Sequence, residues 1–160
     1  MNRAWRVGAN EDKTMSRSGY SDDCSGAELN LYRGTVARTI RCKRGQAFLR
    51  ELRDALDAMP VKVLITGELM DADGDQCALG AVAVARGLDV SGIDSEDGAA
   101  IAALFGVSET LVREIEWEND EVPDAIWTAE QRWSYMRKWV DRQIIQDART
   151  ARLRLVDDAN

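Results

Sequence analysis

The 160-residue chain contains no histidine. That absence removes His-based general acid/base catalysis, Ser-His and Cys-His nucleophile pairs, and nearly all ordinary zinc and haem sites. Long apolar runs are missing as well. Runs such as Val61–Thr66 (broken by Lys62) and Ala78–Ala85 are far too short to span a bilayer. Residues 1–13 hold no apolar core of signal-peptide length. Cysteine is scarce and unpatterned. Cys24, Cys42 and Cys77 are odd in number and form no CxxC, so three reduced, partly buried thiols in a cytoplasmic protein are expected. Positive charge is the minority sign, with 21 Lys and Arg against 28 Asp and Glu, a net of −7. That balance argues against bulk attraction to nucleic acid or anionic lipid.

What is present is a chain of globular composition, 45% hydrophobic and 31% charged, long enough to bury a core without disulfides or metal. Residues 1–28 read as an irregular segment with Trp5, Val7 and Tyr20 as its few apolar anchors. Met15, followed by Ser-Arg-Ser, offers an alternative start that would make 1–14 a mis-assigned extension. Residues 29–156 read as one helical domain, with 157–160 as a tail.

The expected fold is mainly α: a helical hairpin, a small β-hairpin insertion, a helix-turn-helix-like corner and a long C-terminal helix. Leu29, Tyr32, Val36 and Ile40 make one helical face, and Phe48, Leu52, Leu56 and Met59 make another after a break at Cys42–Gly45. Arg50–Asp54 and Arg53–Asp57 are spaced as i,i+4 pairs, and Pro60 ends the second helix. Val61–Leu69 is β-branched and meets an Asp73-Gly74 turn, which predicts a hairpin. The following 77–87 stretch is either its second strand or, the preferred reading, an Ala-rich helix ending at Gly87. Ser95 is a candidate N-cap with Glu96 and Asp97 in the first turn, Gly106 is a stop and Ser108 is the next cap. Thr128-x-x-Gln131 is a capping box. It opens a stripe of Trp133, Met136, Val140, Ile144, Ala148, Ala151 and Leu155, and a helix over 128–156 would be about 43 Å long. Its last turns would overhang the body and make a homodimer an option.

Residues 98–117 have the spacing of a DNA-binding helix-turn-helix. Ala102 stands where the two helices touch, Gly106 at the turn, and Val112 and Ile115 at inward positions of the second helix. The chemistry opposes the geometry. From Asp94 to Asp124 ten acids stand against Arg113 alone, a net of −9, whereas phosphate contacts need positive charge. Outward positions are expected at Ser108, Glu109, Thr110, Arg113, Glu114, Glu116 and Trp117. The stretch 33–53 is the mirror image, with Arg33, Arg38, Arg41, Lys43, Arg44, Arg50 and Arg53 against Glu51. It is either a binding patch or a solvated face pairing in cis with the acidic stretch. DADGD at 71–75 has the opening of a calcium loop but lacks its sixth-position Gly and twelfth-position Glu, so a plain turn is expected. Trp117 and Trp139 are candidate exposed anchors. No nucleophile–base pair, phosphate loop or metal cluster is legible, and no cofactor is expected.

GYSDDC (19–24), RGTVARTIRCKRGQAFLRELRDALDAMP (33–60), DQCALGAVAVARG (75–87), GLDVSGID (87–94) and FGVSETLVREIEWENDE (105–121) resemble a family of small uncharacterised proteins encoded in bacterial tailed phages and prophages. The resemblance implies a mobile-element gene expressed in a bacterial cytoplasm, and it implies no activity. The leading expectation is therefore a non-enzymatic accessory protein that binds another protein through segregated charge. Its surfaces would be a basic one at Arg33, Arg38, Arg41, Lys43 and Arg44 and an acidic one around Glu109, Arg113, Glu114, Glu116, Trp117 and Glu118. The alternatives are a DNA-binding regulator using 98–117 and a histidine-free hydrolase.

Overall fold

The computed structural model describes residues 17–19, 26–122 and 127–146. Six helices follow one another: α1 (Gly26–Arg41), α2 (Lys43–Ala58), α3 (Ala78–Arg86), α4 (Gly98–Phe105), α5 (Glu109–Asp120) and α6 (Ala129–Gln143). The helical hairpin is present. Its corner is a single residue, Cys42, whose Sγ accepts from the Gly45 N–H at 3.3 Å and caps α2. Gly45 is required there, because a Cβ at that position would lie 2.0 Å from the Thr39 carbonyl oxygen. α2 carries the expected stripe inward, with Phe48, Leu49, Leu52, Ala55 and Leu56 buried, and it packs on α3 and α6. The anticipated Arg50–Asp54 and Arg53–Asp57 pairs do not form. Arg53 turns to Asp54, Asp57 pairs with Arg137 of α6 at 2.6 Å, and Arg50 donates to the Ile145 carbonyl.

The β-hairpin insertion does not form. Among the described residues there is no strand, only one antiparallel bridge between Met70 and Gln76. The ladder has nowhere to grow. Asp71 takes the Asp73 and Asp75 N–H groups on its own side chain, and α3 begins two residues after the bridge. The first arm bonds across the turn only at Ile65 N–H to Gln76 O and at Leu69 O from Cys77 N–H, and otherwise turns elsewhere: Leu64 N–H donates to Ala129 O, and Ile65 O accepts from Asn119 Nδ2. Residues 77–87 form the preferred helix, closed by Gly87 at φ 67°. α3 lies so close to this loop that a Cβ on Gly80 would sit 1.8 Å from Leu69 O.

The tight helix–turn–helix of 98–117 is present as geometry. Gly106 adopts φ 70°, Val107 N–H returns to Ala102 O, and the Ser108 hydroxyl accepts from Leu111 N–H. The cap of α4 is Asp97 rather than Ser95, since its carboxylate reaches Ala100 N–H at 2.9 Å while Asp94 holds the preceding turn. The capping box at Thr128 forms with both of its bonds. The long C-terminal helix is overturned within the described residues. α6 stops at Gln143 and Ile144 is extended, because buried Gln46 of α2 donates to Gln143 O and accepts from Ile145 N–H. The positions expected to continue that helix from 147 onward lie outside the described residues, as do Cys24, Trp5 and the alternative start at Met15.

Side chains from α2 to α6 and from the 61–77 loop meet in one core, centred on Leu49, Leu52, Leu56, Leu79, Ile101, Leu111, Ile115 and Met136. Trp139 joins that core, 3% exposed, instead of standing off it as an anchor. Leu64 and Leu69 bring the loop into the same cluster. No helix among the described residues is long and apolar enough to cross a membrane.

Candidate functional site

α1 is a peripheral helix: from Ala27 to Arg41 only Val36 is buried, and Leu31 is 76% exposed. Its cations are consequently free to face solvent. Arg33, Arg38 and Arg41, followed around the corner by Lys43 and Arg44 on α2, are all exposed. None of the five has an ion-pair or hydrogen-bond partner among the described residues. Elsewhere arginines are engaged: Arg86 with Glu51 (2.5 and 2.7 Å) and Arg137 with Asp57 and Asp141. The corner opens on a cleft of about 350 Å³ lined by Cys42, Lys43, Arg44, Val107, Ser108 and Leu111. The capped N-termini of α2 and α5 both border it, and helix N-termini add positive potential.

The expected acidic surface is not there. All twelve residues of α5 are buried or half-buried, because α1, α3, α4 and α6 pack around it. Glu116 is 1% and Glu118 7% exposed. Helical register explains this. Glu116 follows Val112 by four positions and Glu118 follows Ile115 by three, so both share the inward face despite their charge. Glu109 and Arg113 are spent on each other at 2.6 and 2.9 Å. Glu114 and Trp117 are half-buried and line the cleft between α1 and α5. In that cleft, about 600 Å³ in volume, Arg33 and Arg41 stand across from Glu114, Glu118 and Glu121. Opposite charges are thus interleaved along α1 and α5, while Arg38, Lys43 and Arg44 do not line that cleft.

Beneath this surface lies a polar cluster that the sequence did not announce. Arg17, from the segment read as irregular, is buried and forks onto Asp120 through Nε (2.5 Å) and Nη2 (2.8 Å). Ser18 Oγ donates to Glu121, and Arg113 donates to Ser18 O. Asp120 also accepts from Gly67 N–H and from Asn119 Nδ2, while Asn119 Oδ1 accepts from Ala78 N–H at the start of α3. One end of α5 therefore pins the 17–19 segment, the 61–77 loop and α3. Burial works against the charge of Arg17, but Cys77, the fork to Asp120 and Glu116 outweigh it, so the guanidinium is held protonated beyond the ordinary arginine range.

No family model, no curated protein and no solved structure matches the chain.

Glu116 is the exception within the cluster. Neither carboxylate oxygen has a hydrogen-bond partner, and Arg17 Nη1 is idle as well. Burial raises the Glu116 carboxyl to about 7; Arg17 and Arg113 oppose the rise, and Asp120 and Glu109 add to it. Glu118 is also raised by burial, in spite of the hydrogen bond it accepts from Tyr135 OH. Burial and that same contact raise the Tyr135 hydroxyl. Among the described residues no three His, Cys, Asp or Glu side chains are grouped to hold a metal. Cys42 is exposed and Cys77 buried, both as free thiols.

Proposed function

We propose that the protein is a non-catalytic binding protein whose recognition surface is the basic corner between α1 and α2, and that its partner presents an acidic protein segment. The observation that carries this reading is the set of exposed cations at Arg33, Arg38, Arg41, Lys43 and Arg44, which have no ion-pair or hydrogen-bond partner among the described residues, where most other described basic groups are spent on carboxylates or carbonyls. Like charges gathered along one helical corner repel one another. An acidic partner relieves that repulsion and adds steering at low salt. Such a role suits a phage or prophage accessory protein acting in a bacterial cytoplasm, the setting implied by the sequence resemblance.

A nucleic-acid backbone would satisfy the same cations, but a major-groove reader also needs an exposed recognition helix. α5 offers no exposed residue. Fluorescence anisotropy at low salt, with a labelled oligo-glutamate peptide and a short labelled DNA duplex as probes, separates the two. The expected result is binding of the peptide that weakens as salt rises and is lost in the triple variant Arg41→Glu, Lys43→Glu, Arg44→Glu. Binding of the duplex alone would transfer the function to the regulator reading. Equal behaviour of wild type and triple variant towards the peptide would end the proposal.

A further inference from the structure

The corner between α1 and α2 is rigid as well as charged. Gly45 packs directly on the Thr39 carbonyl, and Gln46 Nε2 donates to Ile40 O at 2.8 Å across the same bend. Facing it, the turn between α4 and α5 is fixed by Gly106 at φ 70° and by the Ser108 hydroxyl, which accepts from Leu111 N–H at 3.2 Å. Between these two turns lies the cleft of about 350 Å³. Cys42, Lys43 and Arg44 border it on one side, and Val107, Ser108 and Leu111 on the other.

What the cleft can hold follows from which of its atoms are already used. Cys42 Sγ accepts from Gly45 N–H and donates to Thr39 O at 3.1 Å. Ser108 Oγ is spent on its cap. Glu109, the first carboxylate of α5, is turned to Arg113 and does not line the cleft. The surface left inside is therefore mostly hydrocarbon, with Val107 and Leu111 as its apolar wall. Lys43 and Arg44 are exposed at its border. The volume lies at the bottom of the roughly 300–1,000 Å³ typical of small-molecule sites, so one large side chain suits it better than a whole ligand.

We infer, resting on the binding role proposed above, that this cleft receives one leucine-sized apolar side chain from the acidic partner segment. The carboxylates on either side of that anchor meet Lys43, Arg44 and Arg38. Charge steers many acidic segments to such a corner, whereas a desolvated anchor in a pocket selects among them. Neither turn has to move to admit it, so little ordering cost opposes the contact.

Two labelled peptides of equal charge test the anchor by fluorescence anisotropy on the full chain. One is Glu-Glu-Glu-Leu-Glu-Glu-Glu, and the other carries asparagine in place of the leucine. Burial of the leucine should tighten binding at least about tenfold over asparagine. Raising the salt should weaken both peptides together and leave their ratio intact, because apolar burial is not screened. Val107→Phe and Thr39→Leu each narrow the cleft without changing charge. With the fold checked by circular dichroism, both should lower the leucine peptide to the level of the asparagine one and leave the latter unchanged. Equal binding of the two peptides by the wild type overturns the anchor and leaves the charged surface standing. Binding of neither overturns the charged surface and the anchor with it. A leucine advantage that fades with salt, or that survives in both folded variants, overturns the cleft as its seat.

Discussion

Replacing Asp120 by alanine tests how much of this molecule rests on one carboxylate. Its two oxygens receive Arg17 Nε and Nη2, Gly67 N–H and Asn119 Nδ2. The Arg17 side chain is only 4% exposed and that of Asp120 14%. Removal leaves a buried guanidinium without its counter-charge, for which about 3–5 kcal/mol is typical. The loss of Gly67 and Asn119 contacts adds to that, while lifting of residues 17–19 into water limits it. A net loss of about 3 kcal/mol is therefore expected in urea denaturation, a large fraction of a typical domain stability. At a urea dependence of about 2 kcal/mol per molar, the midpoint should fall by about 1.5 M. The exposed Arg53–Asp54 pair supplies the contrast, because Arg53→Ala should change stability by no more than about 0.5 kcal/mol. The double variant Arg17→Met, Asp120→Leu removes both charges together and should regain most of the loss. If Asp120→Ala costs less than about 1 kcal/mol, or the double variant is no better than the single, the cluster is not a structural keystone.

Three further outcomes follow from other parts of the molecule. Gln46→Leu should cost about 2–3 kcal/mol by leaving the Gln143 carbonyl and the Ile145 N–H unpartnered, and amide exchange at Ile145 should accelerate before the core opens. Gly80→Ala should be strongly destabilising in thermal melts because its Cβ meets Leu69 O, whereas Gly34→Ala, with open space around it, should gain up to about 1 kcal/mol. The pH dependence has a definite sign. A carboxyl whose folded value is raised contributes stability that is fully present below its unfolded value of 4.5 and lost as pH rises through about 7. Wild type measured against Glu116→Gln should therefore lose stability across that window, by about 3 kcal/mol at most, and run parallel to it above the window.

Local signals carried most of the fold. Gly87 and Gly106 at left-handed ends, Ser108 and the Thr128 box at starts, and the α2 stripe each act within one or two turns, and all of them are where the letters put them. Signals that fail are those decided by distant residues. Gln46 ends α6 from ninety-seven positions away in sequence, and nothing in the apolar stripe of 133–155 hints at it. Residues 61–69 have strand-like composition, but Ala129 takes the Leu64 N–H and Asn119 the Ile65 carbonyl, and the few bonds across to residues 76 and 77 do not extend into a ladder. The exposure of Arg33, Arg38, Arg41, Lys43 and Arg44 was legible, because they stand off the apolar stripes of α1 and α2. The acidic half misled. Counting charge along α5 hid the register of Val112 and Ile115, which already directed Glu116, Glu118 and Asn119 inward. Arg17 left no trace, since a lone arginine in a polar stretch gives no sign of the carboxylate it will find.

The 61–77 loop has one more consequence. Its 61–69 arm is tied down by amide, carboxylate and guanidinium side chains and by the first residue of α6, so the peptide groups of Leu64 and Ile65 and the Gly67 N–H are taken. Chains that meet through rows of vacant peptide groups polymerise. The β-branched stretch that alone would invite stacking is held at Leu64 and Ile65, and replacing Asn119 should free the Ile65 carbonyl for such pairing.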